Sequence, residues 1–480
     1  MDDGYGSGTL PMKHPHAQFQ FPDPKRRGES QRDEAARKSR AAGRHAPEPQ
    51  GQQSPEQDPY LTQEKWTDLI GALRLHRRRL LRIPGVTGVD IGYRFDEETQ
   101  RFSDEVVLRV HVERKRPLEY FKDHPSELIC KSTKKPEDPK MATLWDELKE
   151  PKLKYPNSDE SVTLDIIPAK YCPAALPQPP ARGVVMEKPR SLNEIDRRRR
   201  LDPLVGGISI GSPNTPVGTL GALVWDKTDG TICILSNWHV LAGDLHAEVG
   251  SPCFQPGHFD QGRSSDVVAR LKRWSFDNET DAAIAELNGS RHYCAGEILD
   301  LYQQITGVDD PYLGMIVLKS GRSSGVTWGF VDGLYFSTII EYGNGVVREF
   351  EDQIHIAPLP PKCDSKPVFP ISSPGDSGSI WVTKDSKGYR AVGLHFAGDL
   401  PGSAFGEYAL ANPIRVVKER LNFSFRPRFL EIRDQEAEMV SAAIQIQQRG
   451  NGVQPVGVFS AAALSGPGGQ PDPIEVPPKG

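Results

Sequence analysis

Large apolar side chains are almost absent from the first sixty positions. The stretch DPKRRGESQRDEAARKSRAAGRHAPEPQGQQSPEQDP offers no face to bury. Such a segment cannot offset the entropy lost on ordering, so residues 1–59 are expected to form a disordered arm. Apolar periodicity starts near Tyr60. In EKWTDLIGALRLHRRRLLRI the positions Trp66, Leu69, Ile70, Leu73, Leu75, Leu80 and Leu81 fall close to helical spacing. The other face carries Arg74, Arg77, Arg78 and Arg79, and Pro84-Gly85 stops the helix. GVTGVDIGYRF and EVVLRVHVERK then alternate apolar and polar residues around the turn-like DEETQRFSD, which predicts an antiparallel hairpin. VTLDIIPA at 162–169 reads as a third strand. Residues 60–183 therefore read as a small α/β unit ending in the Pro-rich linker PAALPQPPARG at 173–183.

A charged connector, 184–203, ends in Arg197 to Arg200. From Leu204 the pattern changes to short apolar runs separated by Gly, Pro, Asn and Asp. VGTLGALVW, ICILSNWHVL, DVVARLKRW, DAAIAEL, GMIVLKSG, GVTWGFVDGLYF, QIHIAP, GSIWVTK and AVGLHFAG follow one another. Many short strands with frequent turns predict an all-β sandwich or barrel over 204–424. ANPIRVVKERLN at 411–422 predicts a closing helix. The remainder, 425–480, reads as helix around FLEIRDQEAEMVSAAIQIQQR and then a Gly/Pro-rich disordered tail.

Composition sharpens this picture. The 480 residues include 45 glycines and 42 prolines, and only 37% are hydrophobic, against a usual ~45–50%. That argues against an all-helical protein. The net charge of −5 supplies no electropositive field for nucleic acid. No apolar run is long enough for a membrane helix, and the N-terminus lacks a signal-peptide pattern. Cys130, Cys172, Cys233, Cys253, Cys294 and Cys363 form no CxxC pair and are expected to be free thiols of an intracellular protein. Cys, His and carboxylates show no zinc spacing, so neither a metal nor a cofactor is expected. Gly321-Arg322-Ser323-Ser324-Gly325 lacks the lysine of a phosphate loop and reads as a β-turn. The arginine runs at 77–79 and 197–200 read first as solvated faces, with a nuclear-localisation or polyanion patch as the rival.

Three strings carry chemistry. In Ser373-Pro374-Gly375-Asp376-Ser377-Gly378-Ser379, the glycines permit a tight turn that exposes the Ser377 hydroxyl. The Gly375 and Ser377 N–H groups would face a developing oxyanion. A serine needs a base to become nucleophilic. In Asn237-Trp238-His239-Val240, an imidazole at the end of an apolar strand can be that base. In Asp281-Ala282-Ala283-Ile284, a carboxylate opening an apolar strand can orient the imidazole. Asp266, Asp277 and Asp376 compete for that role, and Asp376 fits a local salt bridge or hydrogen bond better. Each string alone has a bland reading: a plain turn, a satisfied histidine, a strand-start cap.

Together, and in the order His, Asp, Ser, the strings resemble the trypsin-like (chymotrypsin-fold) serine proteases. NWHVLAG, DAAIAEL and SPGDSGS are similar to that family's three motifs, with Ser379 in place of the last glycine. The resemblance covers about 204–424. It implies a mainly β fold, a trypsin-like double β-barrel preceded by the small α/β unit, with the site between the barrels. It makes His239 the general base, Asp281 its orienter, Ser377 the nucleophile, and Gly375 and Ser377 the oxyanion hole. VGTLGALVWD, ILSNWHVLA, PCFQPGHFDQG, LGMIVLKSGRSSGVTWGFV and the IPGVTGVDIGY segment further resemble the plant NARROW LEAF proteins and their microbial relatives. That implies an intracellular, cytoplasmic enzyme, with the nucleus left open. The family pattern puts Ile371 at the floor of the primary pocket and lines the cleft with His395, Phe396 and Ala397. A floor without a carboxylate argues against cleavage after Lys or Arg. His395 stands where digestive relatives place a serine bonded to the catalytic aspartate. The implied partner is a protein or peptide substrate; neither nucleic acid nor membrane is expected, and a homo-oligomer stays open. A non-catalytic adaptor on a protease fold, and an enzyme gated by its N-terminal unit, are the rival readings.

Overall fold

The computed structural model describes residues 62–96, 101–113, 153–158, 160–174, 196–215, 217–343, 345–359, 370–386, 388–399 and 408–427. The expected N-terminal arm, most of the connector and the C-terminal extension lie outside these residues.

Helix α1 (Gln63–Leu81) starts at Thr62, whose hydroxyl accepts from the Lys65 N–H. It buries Leu69, Ala72, Leu73, Leu80 and Leu81, the face expected from periodicity. Leu75 is the exception and faces solvent. Strands β1 (Val86–Asp96) and β2 (Arg101–Val112) form the expected antiparallel hairpin, with a shorter connection than DEETQRFSD suggested. β3 (Leu164–Pro168) adds parallel to β2. β4 (Tyr171–Pro173) pairs elsewhere, so Pro173 and Ala174 are ordered where a linker was expected to begin.

The strands that follow are β5 (Leu204–Gly206), β6 (Ile208–Ile210), β7 (Gly218–Leu220), β8 (Ala222–Asp226) and β9 (Ile232–Ser236). The one-turn helix α2 (Trp238–Leu241) comes next, then β10 (Pro252–Phe254), β11 (Val267–Phe276), β12 (Asp281–Leu287) and β13 (Tyr293–Ile298). The second half contains β14 (Ile305–Val308), β15 (Ile316–Gly321), β16 (Gly325–Glu341), β17 (Val347–Pro358), β18 (Ile380–Lys384), β19 (Tyr389–Asp399) and β20 (Ala409–Pro413). Helix α3 (Ile414–Leu421) and β21 (Phe423–Ser424) end the described chain.

The fold is mainly β. β10, β11, β12, β9, β8 and β21 form one six-stranded sheet around Leu220, Leu223, Ile234, Val240 and Ala283. β15, β18, β19, β20, β17 and β16 form a second layer, which closes because β15 also pairs with β16. Gly321 faces Gly325 across that pairing, so 321–325 is a hairpin turn, as read from its composition. α3 returns to pack Ile414, Val417 and Leu421 into the core shared by both sheets.

β16 has 17 residues and outruns its barrel. Its far end pairs with β1, so the N-terminal hairpin continues the second barrel's sheet. Gly92 and Gly333 face each other in that pairing. A side chain at Gly333 would come within 2.1 Å of the Arg109 guanidinium. The two glycines thus leave room for the Arg109 guanidinium together with the Asp90 carboxylate. Its guanidinium is sealed from water, ion-paired to Asp90 and, at 2.7 Å, to Asp332. Burial would raise the Asp90 pKa, but Arg109 and His111 outweigh it and hold the carboxyl well below its ordinary value. At the helix, Arg77 reaches Glu351 at 2.5 Å and Asp352 at 3.4 Å, so this arginine clamps α1 to β17 rather than facing solvent.

Removing one partner of a buried ion pair leaves uncompensated charge, at a cost of about 3–5 kcal/mol. Arg109→Met should destabilise the protein by that amount in urea unfolding. A change under about 1 kcal/mol would show that the cluster is not what joins hairpin and barrel.

Candidate active site

Asn237 and α2 follow directly on β9, and β12 lies beside β9 in register, with Ala283 opposite Ser236. That pairing carries the start of β12 to the histidine. The His239 backbone N–H donates to Asp281 Oδ1 at 3.2 Å, and ring Nδ1 donates to Oδ2. Asn237 donates to the Asp281 carbonyl at 2.6 Å, and Asn412 accepts from the Asp281 N–H at 3.1 Å. The carboxylate is fully buried and the imidazole nearly so. The competing aspartates are engaged elsewhere. Asp266 binds Arg291 at 2.9 Å, and Asp277 caps its own turn through the N–H groups of Glu279 and Thr280.

Sequence reasoning missed Tyr342. Its hydroxyl donates to Asp281 Oδ2 at 2.7 Å. Burial first, and then the Asp281 carboxylate, push its pKa well above the ordinary tyrosine value, so it stays a donor. Trp238 stacks on Phe276 at 3.8 Å between ring centroids, and Tyr342 meets both edge-on. The sequence signal is faint: a lone tyrosine at the end of an apolar run, sixty residues beyond the aspartate it serves.

The nucleophile turn is built on two left-handed glycines, Gly375 at φ +100° and Gly378 at φ +94°. A side chain at Gly378 would collide with Ser236 Oγ at 2.1 Å and Thr219 O at 2.3 Å, which excludes every other residue there. Thr219 of the first barrel anchors the turn twice: its N–H donates to Ser377 O at 2.7 Å, its hydroxyl to Gly375 O at 2.8 Å. Asp376 points inward, away from the chemistry. It pairs with the buried Lys319 at 2.9 Å and accepts from the N–H groups of Ser323, Ser324 and Ser373 at 2.9, 3.1 and 3.0 Å. Burial alone would raise its pKa; Lys319 and the hydrogen bonds outweigh that and hold it at about 2. The hairpin turn 321–325 is therefore an anion cradle, and its anion is the carboxylate of Asp376.

The strings meet at Gly218. A side chain there would lie 2.4 Å from Val240, next to the histidine, and 3.0 Å from Ser377 O. Ser377 Oγ donates to the Phe396 carbonyl at 3.2 Å. His239 Nε2 is buried and has no hydrogen-bond partner among the described residues. The imidazole and carboxylate are thus paired, and the Ser377 hydroxyl rests on a neighbouring carbonyl. Gly375 donates its N–H to the Ala174 carbonyl.

The residues expected to line the pocket separate. Ala397 lies in β19 opposite Pro173, and Phe396 presents its carbonyl to Ser377. The Phe396 ring is fully buried, packed with Phe350. Ile371, expected at the pocket floor, packs in the barrel core with Val317, Ile356 and Trp381. Ser372 is half-buried, and a side chain at Gly398 would come within 3.1 Å of its Oγ. His395 does not reach Asp281. Its Nε2 donates to Ser372 Oγ at 2.7 Å, and its Nδ1 accepts from the Trp381 indole at 3.5 Å. Burial, with Lys319 nearby, lowers its pKa to about 3.

Arg197 is likewise no solvated patch: it is 5% exposed, paired with Asp300 and donating to Ser320 Oγ at 3.1 Å. Cys172, Cys233, Cys253 and Cys294 are free thiols, and among the described residues no group of His, Cys, Asp and Glu could hold a metal ion. Nor is any helix among them long and apolar enough to cross a membrane.

No family model matches the chain, and no curated protein does. Solved structures that resemble it are trypsin/chymotrypsin-fold serine proteases. Thermobifida fusca Protease A is 16% identical and matches 46% of this chain and 96% of its own, with a TM-score of 0.33. Cellulomonas bogoriensis chymotrypsin is 16% identical over 46% and 98%, with a TM-score of 0.32. A glutamic-acid-specific serine protease is 20% identical over 46% and 99%, with a TM-score of 0.33.

His395 sets an acid limit on stability. The unfolded chain protonates this imidazole below its ordinary value of 6.5, the folded chain only near 3. Between those values the unfolded state binds more protons, so stability falls as pH drops from about 6.5 toward 3. Melting temperature should decline across that window, and His395→Gln should flatten the decline. An unchanged slope in the variant would assign it to another group.

Proposed function

We propose that this chain is a serine endopeptidase that cleaves peptide bonds through an acyl-enzyme on Ser377. The observation carrying this reading is the buried His239–Asp281 pair beside a glycine-built turn whose Gly375 N–H already grips a peptide carbonyl. In the reaction, the Ser377 hydroxyl turns from the Phe396 carbonyl to His239 Nε2. The imidazole takes its proton as Oγ attacks the substrate carbonyl carbon. Asp281 holds the ring with Nε2 facing the hydroxyl and balances the imidazolium charge. The N–H groups of Gly375 and Ser377 receive the oxyanion, an arrangement in which one donor is typically worth ~2.7–4 kcal/mol. The imidazolium then protonates the leaving amine, and water attacks the ester in the reverse sense.

Tyr342 belongs to this machinery as a positioning residue. It donates to Asp281 Oδ2, the same oxygen that accepts from His239 Nδ1, and so helps fix the carboxylate when the imidazole becomes charged. Asp376 and Lys319 fix the turn from beneath. Substrates are proteins or peptides with a small or uncharged residue at the primary position, in keeping with the absence of a carboxylate at Ile371, where the family pattern places the pocket floor. The likeness to the NARROW LEAF proteins rests on the sequence strings, and with it the intracellular setting and the arrangement of arm, α/β unit, connector, protease unit and extension.

Ser377→Ala should abolish fluorophosphonate labelling and casein or peptide hydrolysis. Wild-type labelling no greater than the variant's would refute the enzyme reading. Asp281→Asn should lower kcat about 10⁴-fold. Tyr342→Phe, which removes one hydrogen bond to a charged group, should lower kcat about tenfold with KM little changed. A KM effect alone would remove Tyr342 from the positioning role.

A further inference from the structure

Residues 171–174 lie along the candidate cleft as an added strand. β4 runs antiparallel to β19, with Tyr171 opposite Asp399, Cys172 opposite Gly398 and Pro173 opposite Ala397. Ala174 continues the line. Its N–H donates to the Phe396 carbonyl at 3.1 Å, the same oxygen that accepts from Ser377 Oγ at 3.2 Å. Its own carbonyl accepts from the Gly375 N–H. One alanine is thus gripped by its N–H on one side and its C=O on the other, with the candidate nucleophile's hydroxyl on the shared carbonyl. A site of this kind would hold the acyl residue of a substrate in the same way.

The rest of the segment suits that role. Proline offers no N–H, and Pro173 sits between the two residues whose backbone polar groups β19 engages. Ala174 is 4% exposed, and the Ser372 hydroxyl crowds the wall at Gly398, so a small side chain fits. Tyr171 anchors the strand. Its hydroxyl bridges His111 Nδ1 at 2.7 Å and His355 Nε2 at 2.8 Å. Those imidazoles bind Asp90 at 3.0 Å and Asp332 at 2.7 Å, the two carboxylates that hold Arg109. The segment is tethered close by as well: the Lys170 N–H donates to Asp399 at 3.1 Å, and β3 ends two residues before β4 begins.

We infer that this segment is the enzyme's own substrate, cleaved in cis at the peptide bond that follows Ala174. The inference rests on the endopeptidase reading and adds to it a first substrate and a preference for a small residue at the primary position. Ser377 Oγ bonds to the Ala174 carbonyl carbon and gives its proton to His239. The bond from that carbon to the Ala175 nitrogen breaks, and the nitrogen takes the proton from the imidazolium. Water then hydrolyses the ester, leaving a carboxylate on Ala174 and a free amine on Ala175. The product strand, still held by Tyr171 and Lys170, competes with external peptides until it leaves the cleft.

The test uses the full-length protein, incubated and read by intact mass and N-terminal sequencing, beside fluorophosphonate labelling of the same sample. The expected result is a pair of fragments, one ending at Ala174 and one beginning at Ala175, absent from Ser377→Ala. Their first-order rate of appearance should be unchanged on dilution. Ala174→Trp should slow the cut by about tenfold or more, since a pocket that has to admit a bulkier group rejects it by that order. The peptide Lys-Tyr-Cys-Pro-Ala-aminomethylcoumarin should release its fluorophore, and its Pro-Arg counterpart should do so far more slowly. This arm holds even if a chain variant fails to fold. Labelled protein that never yields an Ala175 terminus would overturn the inference and leave the endopeptidase reading standing. Loss of labelling as well would end both. A cut that persists in Ser377→Ala, or whose rate falls in proportion to dilution, would also overturn cleavage in cis.

Discussion

A guanidinium out of reach of water decides how this chain is put together. Arg109 has no solvent to fall back on, so its charge has to be met by Asp90 and Asp332, which lie on two different strands. Meeting both requires the hairpin β1–β2 to lie against the far end of β16, with Gly92 and Gly333 stripped of side chains at the contact. Leaving either carboxylate or the guanidinium unpaired in that setting is far worse than exposing it. The cluster therefore selects one register for the sheet that joins the α/β part to the second barrel. Through His111 and His355 the same cluster holds the Tyr171 hydroxyl, and through Tyr171 it fixes what lies along β19.

The candidate active site repeats this logic on a smaller scale. Asp376 is buried next to Ser377, and Lys319 with three backbone N–H groups answers its charge. Asp281 is buried under the imidazole, and its carboxylate is answered by the ring and backbone N–H of His239 and by the Tyr342 hydroxyl. Each carboxylate is expensive to bury alone and rigid once satisfied. Two such points lie one beside His239 and one beside Ser377. The His239 and Ser377 side chains come from different barrels, and Thr219 ties the serine turn of one to the strand of the other.

Much of this was legible from local pattern. The period of α1, the alternation of β1 and β2, and the short runs beyond Leu204 each depend on residues a few positions apart, and their elements stand where periodicity put them. The same holds for the 321–325 turn. Three strings stood out because a glycine-flanked serine, a histidine after a strand end and a strand-start aspartate are each marked by their immediate neighbours. Tyr342 was not readable, since its partner is distant in sequence and nothing beside it marks it. That Ile371 packs in the core was not readable either, because counting back from Ser377 cannot tell which of two adjacent residues turns inward. Arg77 and Arg197 read as surface charge because their acidic partners lie in other strands.

What the sequence determined by itself was a mainly β chain with a helix–hairpin unit ahead of it and a glycine-built turn around Ser377. Those are properties of short windows, where residue type and spacing set the local preference. Only the tertiary structure decided that β16 extends into the N-terminal hairpin, that Lys319 underlies Asp376, and that Ala174 rather than solvent meets the Gly375 amide. Each of these is a pairing between positions far apart in the chain. Such pairings are chosen by the cost of burying unmatched charge and unmatched backbone groups, and that cost does not exist until the chain has closed around them.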